Sequence, residues 1–175
     1  MSETNSSSLS STNLLRIIVA AMILGVLVFA GIVVYQRLEI APLEFGASPL
    51  DYIVLVLVPL QLVVSWIMPR QMLVASARAL VSRTTLQTDD ADIVRLLQPP
   101  YIAAAIVGCA LAEAACFVVL VVLMMGGPNL LWILVGAALL MLVVRFPLGQ
   151  SVERNLQAWG DFIREQQQFG TKDTP

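Results

Sequence analysis

The one carboxyl group that lies deep within an apolar run of this sequence belongs to Glu113. It stands twelve residues from either end of the apolar segment 101–125, and about 20 such residues are enough for a helix to cross a bilayer. An ionisable group at that depth costs at least about 2.5 kcal/mol and normally faces the interior of a helix bundle. Because no Lys or Arg occupies the middle of an apolar run, Glu113 needs a neutral polar partner.

The polar side chains that match Glu113 in depth lie in the apolar run 50–68. Gln61 is two residues from the middle of that run, or about 3 Å along a helix axis, and its amide can donate to or accept from a carboxyl group. Ser65 lies one turn further, and Pro59 weakens the helix beside Gln61. We expect Glu113 to hydrogen-bond to Gln61, and Glu113, Gln61 and Ser65 form our candidate intramembrane polar site.

Two interpretations of this polar site remain open. Glu113 is either a structural carboxyl group bonded across a helix interface or a proton or cation site. Small residues recur every four positions in the apolar segment 101–125 that carries Glu113, and such a row lets helices approach closely. The packing row consists of Ala104, Gly108, Ala112 and Cys116. We interpret the two cysteines, Cys109 and Cys116, as small packing residues.

The chain lacks the residue patterns that most enzymes need. It contains no histidine, which removes the usual neutral-pH base and a common metal ligand. It has no phosphate-binding glycine loop, no Cys/His cluster and no nucleophile–base pair. We therefore predict no catalytic residue, no cofactor and no metal site, and we expect that the protein is not an enzyme.

The composition points to a lipid environment for the whole chain. Of the 175 residues, 58% are hydrophobic and 13% are charged, which is about half the charged fraction of a soluble domain. A soluble fold of this size could not cover so much apolar surface, whereas a bilayer can accept it. The net charge of −2 argues against nucleic acid as a partner. The sequence therefore predicts an all-α membrane protein, with the lipid bilayer as its first partner.

The apolar runs predict four transmembrane helices arranged as two hairpins. Amphipathic cytoplasmic helices are expected after the second and fourth spans. The spans cover about 14–36, 50–68, 101–125 and 129–146, and together they form a bundle at 14–147. We expect a disordered tail at 1–13 before the bundle, and an amphipathic helix at 148–169 and a tail at 170–175 after it. The first run is longer than the 7–15 apolar residues of a signal peptide, so we interpret it as a retained span.

Two further patterns leave alternatives open. The last helix carries Val152, Leu156, Trp159 and Ile163 on one face, so it is either a solvated helix packed on the bundle or a surface that binds a partner. The first and third spans also align without gaps at an offset of 84 residues. This alignment indicates either a duplicated hairpin or two unrelated hairpins of similar composition.

The basic residues predict how the chain is oriented. Lys and Arg are divided nine to one between the two sides of the four spans, with Arg37 alone on the minor side. The major side has Arg16, Arg70, Arg78, Arg83, Arg95, Arg145, Arg154, Arg164 and Lys172. The positive-inside rule then places both termini and the middle loop in the cytoplasm, and we expect a plasma (inner) membrane location.

A short segment around Glu113 resembles a known ion-carrying helix. Residues 109–120, CALAEAACFVVL, are similar to the carboxylate-bearing helix of the proteolipid (c) subunits of rotary ATP synthases. In that family the glutamate carries the transported ion, so the resemblance implies this role for Glu113. Over its whole length the chain resembles small uncharacterised bacterial four-helix membrane proteins, whose third span has this glutamate and whose fourth ends near a Phe-Pro, here Phe146-Pro147. The wider resemblance implies no particular activity.

These observations favour a structural or accessory subunit of a membrane assembly, with no catalysis of its own. Its partners would be other membrane-protein subunits or a second copy of this chain. The alternative is a proteolipid-like protein that binds a proton or a cation at Glu113. A transport site needs water or ions to reach the carboxyl group, whereas a structural carboxyl group needs only a hydrogen-bond partner.

Overall fold

The protein is built almost wholly from helices. A computed structural model describes residues 4–38, 48–81, 90–146, 158–159 and 161. The elements are α1 (Thr4–Arg37), α2 (Pro49–Val81), α3 (Asp90–Met124) and α4 (Trp132–Val144), with a single 3-10 turn (Asn129–Leu131) immediately before α4. No strand occurs in these ranges, which confirms the all-α prediction.

Three segments are long and apolar enough to cross a membrane. They are Asn13–Arg37, Pro49–Leu80 and Arg95–Met124, and Asn129–Val144 forms a shorter apolar helix. The 13 residues of α4 extend about 20 Å at 1.5 Å per residue, compared with a hydrocarbon thickness of about 30 Å. The element at the fourth predicted span is therefore shorter than the other three.

The helices α2 and α3 continue through prolines at which we expected spans to end. Helix α2 passes Pro69 and reaches Val81, and α3 begins at Asp90 and passes Pro99 and Pro100. Up to Val81, the predicted amphipathic helix after the second span is thus a continuation of α2 and not a separate element. Proline leaves the carbonyl four residues earlier without its helical partner. The carbonyls freed by Pro99 and Pro100 belong to exposed residues, so water can bond to them.

The amino-terminal helix is also longer than its apolar run. Helix α1 begins at Thr4, so its backbone includes most of the segment that we expected to be a disordered tail. The predicted last helix at 148–169 lies outside the described residues, apart from Ala158, Trp159 and Asp161, which are helical. The tail at 170–175 lies outside them entirely.

Helix α3 is the centre of the bundle. It packs against α1, α2 and α4, whereas α1 and α2 make few or no contacts with each other in the described ranges. Half of the most apolar window of α3 is buried inside the protein, compared with 17% of that of α1. The first predicted hairpin therefore does not consist of two directly packed helices, because α1 and α2 each pack mainly on α3.

Helices α1 and α3 run in the same direction. Gly25 of α1 lies beside Glu113 of α3, and one turn further the rings of Phe29 and Phe117 pack edge to face, with centroids 5.5 Å apart and an interplanar angle of 61°. Both pairs are separated by 88 residues in sequence, and a constant separation means that the two helices are parallel.

Helix α2 runs antiparallel to α3. The amide of Gln61 contacts Leu111, whereas Pro69, eight residues later in α2, lies beside Gly108, which is earlier in α3. Helix α4 is antiparallel to α3 too, because Arg145 after its carboxyl end also reaches Gly108. Pro69 of α2 and Arg145, which follows α4, therefore meet near the middle of α3, at Gly108.

Candidate functional site

The predicted polar residues do not converge on one point. The carboxyl group of Glu113 faces α1, where its Oε1 atom is 3.8 Å from the position that a Cβ atom on Gly25 would occupy. The side chain is half-buried. Among the described residues, none donates a hydrogen bond to this carboxyl group. Glu113 thus lies at the interface between α1 and α3, without the hydrogen bond to Gln61 that we expected.

Gln61 and Ser65 use their donors elsewhere. The Gln61 Nε2 atom donates to the carbonyl oxygen of Leu111 at 3.1 Å, and Ser65 Oγ donates to the carbonyl oxygen of Leu62 at 2.7 Å. Leu111 precedes Glu113 by two residues, which is about 200° around a helix at 3.6 residues per turn. Gln61 therefore contacts the side of α3 that faces away from Glu113, which is why equal depth does not bring the two side chains together.

The packing row occupies the interior of the bundle. Ala104, Gly108, Ala112 and Cys116 are all buried. The closest approach is at Gly108, where an ideal Cβ atom would lie 2.8 Å from Cγ of Pro69 and 2.5 Å from Nη1 of Arg145. Only a residue without a side chain leaves room there for two neighbouring elements at once.

Arg145 is inserted between the helices at this point. Its Nη2 atom donates to the carbonyl oxygen of Ser65, which is the carbonyl that Pro69 cannot serve because proline has no N–H group. The arginine thus replaces the backbone hydrogen bond that the proline removes, and α2 can continue beyond the proline. The Nη1 atom of Arg145 is buried and has no acceptor among the described residues.

Two guanidinium groups flank one indole ring beside this contact. The guanidinium carbon of Arg70 is 4.8 Å from the ring centroid of Trp66, and that of Arg145 is 5.6 Å from it, within the range of cation–π attraction. A cavity of about 340 Å³ adjoins these three side chains and Tyr101. The basic residues and the cavity lie at the same end of the bundle.

Arg37 forms hydrogen bonds between elements at the opposite end of the bundle. It follows the apolar part of α1, and its Nε atom donates to the carbonyl oxygen of Leu123 at 3.0 Å. Its two terminal nitrogens donate to the Gly127 carbonyl oxygen and to the side-chain oxygen of Asn129. One side chain therefore links the end of α1 to the end of α3 and to the turn before α4.

The sequence analysis did not anticipate the positions of Arg37 and Arg145. We used both residues only as charges for orientation, although each binds backbone carbonyls of a neighbouring element. The sequence shows that Pro69 frees a carbonyl, but only the packing of the helices shows that Gly108 opens space for Arg145 at the same level. Both cysteines are buried and free. Among the described residues, no group of three or more His, Cys, Asp or Glu side chains could hold a metal ion.

Comparisons with family models, with curated proteins and with solved structures found no match to this chain.

Proposed function

We propose that this chain is an integral protein of the plasma (inner) membrane, crossed by four helices in alternating directions, with both termini in the cytoplasm. Three long apolar helices support the crossing. The outward surface of α2 carries large apolar side chains, including Val56, Leu60 and Ile53, that are 54–70% exposed, as expected for a face in lipid. The nine-to-one division of basic residues supports the orientation.

This orientation is tested with reporter fusions on either side of the membrane. A fusion at Pro175 should report a cytoplasmic location, and a fusion within the linker near Gly46 should report the outer side. An external carboxyl terminus would reverse the orientation. Fractionation in which the chain is extracted from membranes by alkaline carbonate, without detergent, would overturn the membrane proposal itself.

Within that membrane, the proposed role is that of a structural or accessory subunit. The observation that carries this proposal is that polar side chains form hydrogen bonds between neighbouring elements of the bundle. Arg37, Gln61 and Arg145 each donate to a backbone carbonyl of a neighbouring element, so their donors hold the bundle together. A reactive site would instead require several of these groups to face one reactant position.

The accessory role is tested by isolation from the native membrane in a polymer-bounded lipid particle. A defined membrane protein should co-purify at constant stoichiometry, and polar substitutions on the exposed face of α2, such as Val56→Gln or Leu60→Gln, should release it. A Trp159→Gln variant would test the last helix as the contact instead. Recovery of the chain as a monomer, with no co-purifying chain from any membrane, would overturn the accessory role.

A second candidate function is a proton or cation site at Glu113, and one observation favours it. The carboxyl group is half-buried beside Gly25 and receives no hydrogen bond from the described residues. A purely structural carboxyl group would need such a partner. An ion site instead needs an accessible oxygen that a proton or a cation can reach.

Carbodiimide labelling separates the two functions. If Glu113 binds an exchangeable proton or cation, the reagent should modify it, and added cation or higher pH should slow the reaction. Glu113→Gln is the matched control, because it keeps the shape and removes the reactive acid. A carboxyl group that is inert to the reagent, in a protein whose function tolerates glutamine, would remove the ion-site candidate.

A further inference from the structure

A cavity opens at the end of the bundle where all four helices contribute. Its volume is about 340 Å³, and its walls include Leu15 before the middle of α1, Tyr101 of α3 and Val144 at the end of α4. The helix α2 contributes Trp66 and Arg70 to the wall. The polar residues of this end thus surround a space that is large enough for a phosphate ester and the first carbons attached to it.

The cavity is positively charged. Arg70 and Arg145 both line it and approach the same indole ring, at 4.8 and 5.6 Å. None of the described lining residues is Asp or Glu, so the wall supplies no carboxylate to neutralise the two guanidinium groups.

Such a donor set calls for an anion with several oxygen acceptors. An anion in the cavity would neutralise the two guanidinium groups that line it and would accept hydrogen bonds from their accessible N–H groups. Guanidinium groups match phosphate geometry particularly well, because they donate two parallel N–H bonds. The missing component is therefore phosphate-like in its chemistry.

We propose that this cavity binds the phosphate group of an anionic phospholipid. The inference rests on the proposed insertion of the helices into a membrane. A lipid is favoured over free phosphate because Leu15 and Val144 make the same wall apolar, and because the neighbouring surface at Trp66 and Ile67 is 41–45% exposed. An aromatic side chain beside basic residues at the end of apolar helices is typical of the headgroup level of a bilayer.

The test uses the full chain, purified in mild detergent and stripped of lipid. Native mass spectrometry would follow the binding of phosphatidylglycerol and of phosphatidylcholine with identical acyl chains. We expect each chain to bind one added phosphatidylglycerol, with an affinity at least about tenfold above that for phosphatidylcholine. Inorganic phosphate at millimolar concentration should not displace it. The bound phosphatidylglycerol should also raise the melting temperature of the chain.

Arg70→Gln and Arg78→Gln form the matched pair of variants. Arg70 lines the cavity, whereas Arg78 lies two turns further along α2 and does not. Arg70→Gln should weaken phosphatidylglycerol binding by about tenfold, which corresponds to about 1.4 kcal/mol, while Arg78→Gln should change it by less than about twofold. The Arg145→Gln variant is less direct, because it also removes the hydrogen bond to Ser65. Its melting temperature without lipid is therefore measured first.

Three results would overturn the lipid site. The first is equal affinity for the two lipids. The second is an equal loss in Arg70→Gln and Arg78→Gln, which would mean general surface charge. The third is that inorganic phosphate displaces bound phosphatidylglycerol as effectively as added lipid does, which would assign the cavity to a soluble phosphate compound. Failure of the underlying membrane proposal is distinguished by flotation with vesicles, since a chain that does not float with phosphatidylcholine vesicles is not inserted at all.

Discussion

Replacing Gly108 by alanine places a methyl group where two elements already meet. Its carbon would lie 2.5 Å from Nη1 of Arg145 and 2.8 Å from Cγ of Pro69, and both distances are below the 3.0 Å at which something must shift. Arg145 can move away only by weakening its hydrogen bond to the carbonyl of Ser65. We therefore expect Gly108→Ala to loosen the contact of α3 with both α2 and the end of α4.

The size of this effect follows from two opposing contributions. Overpacking of a tight interior typically costs about 1–3 kcal/mol. Alanine in place of glycine within a helix contributes about 0.4–1 kcal/mol of stability. The net expectation is a loss of about 1.3 kcal/mol in the free energy of unfolding when the midpoints of the two ranges are combined. Gly136→Ala is the matched control, because a Cβ atom there meets nothing within 4 Å, and it should leave stability unchanged or raise it by up to about 1 kcal/mol.

Reversible unfolding in mixed micelles, titrated with a denaturing detergent and followed by tryptophan fluorescence, would measure these changes. A double-mutant cycle between Gly108→Ala and Arg145→Met adds a sharper test, because removing the guanidinium group removes one of the two clashes. The coupling energy should be at least about 0.5 kcal/mol, as for residues in contact. Equal stability of the Gly108 and Gly136 variants, or additive effects in the cycle, would refute the reasoning.

The remaining predictions use the same unfolding assay. Arg37→Met should lower stability by about 1–2 kcal/mol because charged hydrogen bonds are lost at the α3–α4 turn, whereas the exposed neighbour Gln36→Met should be nearly neutral. Gln61→Leu should cost about 0.6–1 kcal/mol, the usual value of one interhelical hydrogen bond; a larger loss would mean that its bond to Leu111 is not the whole of its role. Gly126→Ala should cost about 1–2 kcal/mol, since Gly126 has φ 94° and side chains disfavour that region; an unchanged free energy of unfolding would contradict it.

The long apolar helices could be predicted from the sequence because length and composition alone define them. A run such as 14–36 or 101–125 favours a helix once water is excluded, because a helix satisfies every backbone polar group within its own segment and the run is much longer than the roughly 9–11 residues of a membrane-spanning strand. The all-helical architecture follows from this requirement. It is a local property, so no knowledge of the neighbouring elements is needed.

The end of α2 could not be predicted, because it depends on a distant residue. A proline normally ends a helix at the preceding residue, and the local pattern at Pro69 gives no sign of an exception. The exception arises because Arg145, 80 residues after Ser65 in sequence, supplies the missing donor to its carbonyl. Compensation over such a separation is a tertiary effect that propensity and periodicity do not contain.

The direction of Glu113 could not be predicted for a different reason. Depth along a helix can be counted from the sequence, but rotation about its axis depends on which neighbours surround it. We matched Glu113 to Gln61 because the two residues lie at equal depth. In the bundle, however, α2 contacts the side of α3 at Leu111, whereas Glu113 faces Gly25 of α1 on another side. Only the positions of α1 and α2 around α3 decide between these directions.

Donors and acceptors differ in what a helix bundle can offer them. A carbonyl oxygen in a helix keeps a second lone pair, so the donors of Arg37, Gln61 and Arg145 all find backbone acceptors. The N–H groups of a helix interior are already used, so the ionised carboxylate of Glu113, which only accepts, finds no donor in the helices around it. The negative charge of Glu113 must therefore be neutralised by a proton or a cation, or hydrogen-bonded by a water molecule or a partner subunit. Carbodiimide labelling with and without a co-purified partner distinguishes these sources, because a partner that donates to Glu113 would protect it and a free ion site would stay reactive.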